Sequence, residues 1–289
     1  MDRFLASDEV EAFWDGARGR AAADQQTGYL TDAWPREVGA RRFAGELAAV
    51  DRMLARHRVR RGRCLDVGCG TGVWLEALAR RFERAEGIDL SAAMVASAAA
   101  YLAARGVTNA SVTRTGVGEL AADAAYDLIF VGGVLMYVDD ADVAAVIARL
   151  RACLAPGGVM ILRESTYVGR TWYRDRPMSR GLLPAGAVQP PYRAIYRPLG
   201  WYRAALAGAG FEVVATRVNT SYLLAEVTEA ELLALDRLSR GALRRDRARA
   251  EAAARWLHRL RPLTLWPALL ARPLLRFAWR LANHWIVCR

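Results

Sequence analysis

Apolar positions along this chain recur in two periods, and the switches between them mark the elements. From residue 38 to 57 the spacing of Phe43, Leu47, Val50, Met53 and Leu54 predicts a helix. The run 63–67, Arg-Cys-Leu-Asp-Val, reads as a buried strand that stops at a glycine-rich stretch, 68–72. A helix over 73–83 and a short strand over 85–89 follow, and Ser91 is placed to cap an alanine-rich helix from 92 to about 104. Strands are expected over 111–115, 126–131 and 159–163, with a helix over 141–154 and a turn at Pro156-Gly157-Gly158. An irregular segment, 165–198, precedes a helix over 199–209 and two late strands near 211–216 and 222–227. The apolar strands lack a polar face, as in a parallel sheet covered on both sides. The expected fold class is therefore doubly wound α/β. Residues 1–60 read as a helical cap broken around 27–35, residues 61–235 as the core, and residues 236–289 as a helical tail.

Composition narrows the chemistry. At 289 residues and 54% hydrophobic, the chain is one generous domain or one domain with appendages, and wholesale disorder is excluded. All 41 basic residues are arginine, which rules out a lysine nucleophile, a Schiff base or a phosphate-binding P-loop lysine. The net charge of +11 is uneven: thirteen arginines against Asp236, Asp246 and Glu251 put +10 of it on residues 236–289. Cys64, Cys69, Cys153 and Cys288 form no CxxC pair and three histidines are scattered, so neither a zinc site nor a disulfide framework is expected. The first residues lack the basic-then-apolar order of a signal peptide, and no uncharged apolar run approaches the ~18 residues of a spanning helix, so a cytoplasmic protein is expected.

The strongest chemical signal is Leu65-Asp66-Val67-Gly68-Cys69-Gly70-Thr71-Gly72, set between a strand and a helix. Its glycines permit a sharp turn and close approach of a ligand to the backbone. Asp89 ends the next strand, where a carboxylate accepts hydrogen bonds from ribose hydroxyls. The spacing is GxGxG rather than the GxGxxG suited to a pyrophosphate, and Asp66 repels a diphosphate but suits a cationic amino-acid group. A tight turn beside a surface aspartate is the purely architectural alternative.

Residues 65–72 resemble motif I of the class I S-adenosylmethionine-dependent methyltransferases, and the likeness runs over 38–227. Gly87-Ile88-Asp89-Leu90, Gly118-Glu119-Leu120, the strand 126–133 and the turn 154–158 extend it. The resemblance implies a Rossmann-like, mostly parallel seven-stranded sheet with an N-terminal helical cap and a C-terminal helical extension. It implies S-adenosylmethionine as cofactor, S-adenosylhomocysteine as product, and no metal. Asp66, Gly68, Cys69 and Gly70 would line the methionine half, Asp89 the ribose, and Leu90, Gly118 and Glu119 the adenine. Val131 would end the fourth strand beside the transferred methyl. Arg42, or its neighbour Arg41, stands where some relatives bind the cofactor carboxylate, a surface-helix arginine being the alternative. Tyr137 and Glu164 are the candidate catalytic residues.

The sequence beyond strand four lacks both the Asn/Asp-Pro-Pro-Tyr signature and a Pro-Cys pair, which leaves a small-molecule acceptor methylated at N or O as the leading class. The segment 165–198 reads as a substrate lid, with Arg163, Tyr167, Tyr192, Arg193 and Tyr196 as candidate acceptor contacts, because arginine forks hold anions and aromatic faces hold amines or planar rings. A surface loop in an arginine-rich sequence is the alternative. Phe13, Trp14, Tyr29 and Trp34 are expected to cap the cofactor or to pack on the core. Residues 236–261 read as a charged helix, and 262–287 as an amphipathic helix with Arg272, Arg276 and Arg280 on one face. That tail offers a peripheral membrane contact, a homo-oligomer contact, or a helical subdomain folded back on the core; nucleic acid is the least favoured partner. An RNA methyltransferase anchored by the tail and a non-catalytic, partner-binding protein of the same fold are the competing functions.

Overall fold

A computed structural model describes residues 3–18, 35–121, 125–176, 192–270 and 281–289, as backbone alone at 17–18 and 262–270. Strands β1 (Arg63–Val67), β2 (Arg84–Asp89), β3 (Ala110–Arg114), β4 (Tyr126–Gly132), β5 (Leu154–Tyr167), β8 (Val213–Val218) and β9 (Leu281–Cys288) form one sheet in the order β3-β2-β1-β4-β5-β9-β8. The first five run parallel, and β9 lies antiparallel to both β5 and β8. Between β5 and β8, β6 (Trp172–Asp175) and β7 (Arg193–Tyr196) pair as a separate antiparallel ribbon.

Helices α3 (Val73–Ala79), α4 (Ala92–Ala104), α5 (Val143–Ala152) and α6 (Leu199–Gly208) connect the strands. Ser91 caps α4 as expected, its Oγ accepting from the Met94 amide at 3.1 Å. Along β4, Ile129 and Val131 enter one core cluster, with Leu65, Met160 and Ile286; Leu128 and Phe130 enter the other, with Cys64, Ile161 and Val287. That alternation explains why the strand has no polar face: each side of the sheet is a core.

The C-terminal part of the chain corrects the sequence reading. The expected strand at 222–227 is part of a helix, α7 (Thr220–Leu238), capped by Asn219, whose side chain accepts from the Tyr222 amide at 3.2 Å. An apolar run of that length does not by itself separate strand from buried helix. The expected amphipathic helix over 262–287 is also corrected. Helix α9 (Arg247–Leu270), preceded by the single turn α8 (Ala242–Arg245), gives way to β9, which fills the slot between β5 and β8. Trp285, Ile286, Val287 and Cys288 are all buried, packing alternately against the two cores. The last eight-residue element of the presumed tail is thus a strand of the main sheet. Helix α2 (Arg36–Arg56) packs with α7 and α9 around Val38, Ala225, Leu232, Ala254 and Leu257. The expected break at 27–35 falls, up to residue 34, outside the described residues, as do Tyr29, Trp34, positions 177–191 of the expected lid, Arg272, Arg276 and Arg280.

Candidate active site

Three elements meet at the carboxyl ends of β1, β2 and β4. After β1 the chain turns through Gly68 and Gly70, both at positive φ (64° and 53°), before Gly72 opens α3. The Cys69 amide donates to the Ile88 carbonyl at 2.9 Å, and its buried side chain lies against Gly87, tying the loop to β2. The Gly70 amide donates to Asp89 Oδ2 at 2.9 Å and the Ser91 amide to Asp89 Oδ1 at 2.9 Å. One carboxylate therefore joins the glycine loop to the start of α4, and each of its oxygens retains further acceptor capacity.

Asp66 is buried, and its Oδ2 has no hydrogen-bond partner. Burial, reinforced by the like charge of Asp89, pushes its carboxyl well above the usual range, with Arg163 opposing the shift. Burial raises Asp89 as well, against the lowering effect of the Ser91 and Gly70 amides. Two buried carboxyls beside a backbone turn, the like charge of Asp89 raising Asp66, form a receptor for a cation. The loop also leaves room: a Cβ at Gly70 or Gly118 would meet nothing within 4 Å. Leu90 stands within van der Waals reach of Gly116, at the start of the short turn Val117–Glu119, and Glu119 accepts from Thr115 Oγ1 at 3.0 Å. These features fit the adenosine and amino-acid ends of S-adenosylmethionine.

Val131 itself is wholly buried in the core, so β4 offers the site its end, Gly132 to Tyr137, rather than that side chain. Glu164 on β5 holds this end: its Oε1 accepts from the Val134 and Leu135 amides at 2.9 and 3.0 Å. Burial pushes its carboxyl up to about 7, in spite of those two amides. Tyr137 follows, sharing a 3.0 Å hydrogen bond with the Tyr192 hydroxyl, which shares one of 3.1 Å with Tyr196. Around these three hydroxyls stand Trp14, Phe13, Trp172 and Tyr167, with Tyr196 stacked on Trp172 at 5.3 Å.

The arginines in and beside the expected lid, 165–198, divide. Arg163 is buried and 3.6 Å from Glu46 of α2, while Arg193 binds Glu9 at 2.6 Å and covers the Phe4 ring. Arg197, fully buried, donates to the Leu135 and Val138 carbonyls at 2.7 and 2.8 Å and to Asp140 at 2.6 Å. Arg174 lies between the Trp172 and Tyr192 rings. Arg42 packs over Tyr222 of α7, 5.4 Å from the ring centre.

The acidic anchors of the expected N-terminal cap escaped the sequence reading. Helix α1 (Ser7–Phe13) and the turn Trp14–Arg18 cross the carboxyl end of the sheet. Asp139 accepts from the Phe4 and Leu5 amides at 2.9 Å, and Glu11 pairs with Arg114 on β3. Asp15 Oδ1 takes the Ser91 hydroxyl at 2.5 Å and the Ala93 amide at 3.0 Å, which lowers its pKa. An acidic residue a turn beyond an amphipathic helix carries no local mark of a partner 76 residues away.

This sheet order, glycine turn and carboxylate pair define the class: the chain contains a class I S-adenosylmethionine-dependent methyltransferase domain. Residues 64–158 match a family model described as a methyltransferase domain. A trans-aconitate 2-methyltransferase of Variovorax paradoxus (strain S110) is 34% identical over 167 residues, covering 52% of this chain and 58% of that one. A ubiquinone biosynthesis O-methyltransferase of Bradyrhizobium sp. (strain ORS 278) is 26% identical over 56% of this chain and 59% of its own. Among the first relatives the matched part is 39% to 58% of their length. The fold of the [4+2]-cyclase SpnF superposes with a TM-score of 0.62 at 18% identity, covering 98% of this chain and 96% of that one. Magnesium protoporphyrin IX methyltransferase of Synechocystis PCC 6803, a structure with bound SAM, gives 0.51 at 18% identity, over 73% and 89% of the two chains. Among the described residues no cluster of metal-ligating side chains occurs, and no helix is long and apolar enough to cross a membrane.

Proposed function

We propose that the chain transfers a methyl group from S-adenosylmethionine to a nitrogen or oxygen of a small-molecule acceptor. The observation that carries this reading is the pair Asp66 and Asp89 at the ends of adjacent parallel strands, one oxygen of Asp66 buried without a partner. When bound, the cofactor supplies an electrophilic methyl on a sulfonium centre. Asp66 is the counter-charge for its amino group, Asp89 accepts from the ribose, and Leu90 with the turn at Gly118 and Glu119 borders the base. Displacement at a methyl asks chiefly for alignment of the nucleophile.

Glu164 acts as a positioning residue: by holding the Val134 and Leu135 amides it fixes the segment that presents Tyr137. Burial keeps the Tyr192 hydroxyl protonated, so Tyr192 serves the Tyr137–Tyr192–Tyr196 chain as a hydrogen-bonding group that orients an acceptor. The surrounding rings favour an acceptor with a planar or cationic group. The curated relatives named above differ in their acceptors, and the acceptor pocket of this chain draws on segments outside the matched region, 64–158.

Titration calorimetry with S-adenosylmethionine tests the cofactor assignment. Asp89→Ala is expected to weaken binding by about 1–3 kcal/mol, the scale of hydrogen bonds lost at a partly buried group. Absence of binding by the unaltered protein overturns the reading, and unchanged affinity in the variant removes the ribose contact.

A further inference from the structure

The arginine-rich region that the methyl-transfer site leaves unused lies on α9. Its buried face (Ala250, Ala254, Leu257) packs on α2 and α7, and Arg261 ties it down through Glu231 at 2.7 Å and Thr228 at 2.6 Å. The opposite face is exposed at 249, 252, 255, 256 and 259. At 3.6 residues per turn these positions form one stripe: Arg249, Ala252, Arg255, Trp256 and Arg259. It carries no acidic residue, and 56% of Trp256 is exposed to water in the middle of it. The one described ion pair on the stripe joins Arg249 to Asp246 at 3.0 Å with both side chains largely in water, which holds little. Ahead of α9, Arg237, Arg240, Arg244 and Arg245 are exposed around Leu238, itself 82% exposed. Beyond Arg261 the helix backbone continues to Leu270 through a sequence, 262–270, with no charged residue.

We propose that this face of α9 docks the protein on an anionic lipid bilayer. A basic stripe bearing one tryptophan suits the headgroup region, where cations meet lipid phosphates and an indole sits between water and acyl chains. Exposed tryptophan and leucine favour a bilayer over nucleic acid, whose backbone asks only for the charges. The buried face holds the helix to α2 and α7, so docking orients the whole domain. This inference stands apart from the methyl-transfer reading, since no residue of the stripe belongs to that site.

Co-sedimentation with vesicles of phosphatidylcholine alone, and of phosphatidylcholine with roughly 30% phosphatidylglycerol, tests it at fixed ionic strength. The full chain is expected to bind the anionic vesicles and not the neutral ones. Arg249→Glu/Arg255→Glu/Arg259→Glu should lower that partition by about a hundredfold or more, and Trp256→Ser by severalfold, with thermal unfolding and cofactor affinity unchanged. If the triple variant folds poorly, Arg255→Gln/Arg259→Gln replaces it, with a loss of about tenfold or more expected. No binding to anionic vesicles, equal binding to both vesicle types, or a folded variant that partitions like the parent overturns the proposal. So does a single-stranded RNA oligomer that binds more tightly than the anionic vesicles and displaces them.

Discussion

The two ends of the sheet's active edge are built differently. On the β1–β2 side, the glycine turn, Asp66, Asp89 and Ser91 lie within 26 residues of one another, and backbone groups make most of the bonds. On the β4–β5–β9 side, Glu164, Arg197, Tyr192 and the segment 3–16 meet across separations of 29 to 184 residues, and side chains make the bonds. A ligand common to a whole class is met by backbone geometry. In the proposed function, the acceptor is met by side chains drawn from distant segments. The first side follows mostly from local sequence, with Asp15 tied in from 76 residues away; the second exists only once the chain has folded.

The comparison is broken most severely at β9, the strand on which the second side rests. Trp285 is 3% exposed and paired in register with Arg163 and Arg217. Trp285→Ala is expected to cost about 3–5 kcal/mol, the range for a large buried aromatic. Urea denaturation measures it, and a loss under about 1 kcal/mol would place residues 281–288 outside the core.

That strand also marks the limit of what the sequence conveys. The parallel strands declared themselves because their runs are short, apolar and bounded by turn residues, and Ser91 declared a helix start by its position before an alanine run. Leu281 to Cys288 carries an arginine before it, two aromatic or imidazole rings and no turn signal, so helical and extended readings both accommodate it. Only the empty slot between β5 and β8 decides. For the same reason Asp66 and Asp89 were legible from one strand–turn–strand unit. Asp15 and the anchoring of Arg197 were not, since each bond joins residues far apart in sequence.

A smaller effect comes from Glu164. Its carboxyl, ordinarily near 4.5, is pushed up to about 7 by burial. Below pH 4.5 the group is protonated in folded and unfolded chains alike. Between 4.5 and 7 the unfolded chain loses the proton while the folded one keeps it, so stability falls as pH rises across that window and then levels. The rise from 4.5 to about 7 sets a ceiling of about 3 kcal/mol. In Glu164→Gln the amide oxygen still accepts from Val134 and Leu135, and the decline in melting temperature from pH 5 to pH 7 should flatten relative to the parent. Identical slopes would mean that the buried carboxyl holds no extra proton.

The finest test is at the seam between the two sides, where Gly68 touches Val134. A Cβ built at Gly68 would lie 2.5 Å from Val134 Cγ2, and the backbone there is at φ 64°. Gly68→Ala therefore meets two penalties: about 1–2 kcal/mol for a left-handed non-glycine residue, and the displacement of a segment that Glu164 holds by two amides. Gly70→Ala, at φ 53° with open space around its Cβ, meets only the first. The difference between these variants in thermal unfolding isolates the contact. Adding Val134→Ala should relieve Gly68→Ala by about 1 kcal/mol and leave Gly70→Ala unaffected, which is the coupling expected of touching residues and not of separated ones. Because Val134 opens the segment bearing Tyr137, the same cycle read in turnover reports whether the cofactor turn sets the position of the acceptor side. Full additivity in both readouts would leave the two sides mechanically independent, joined by the sheet alone.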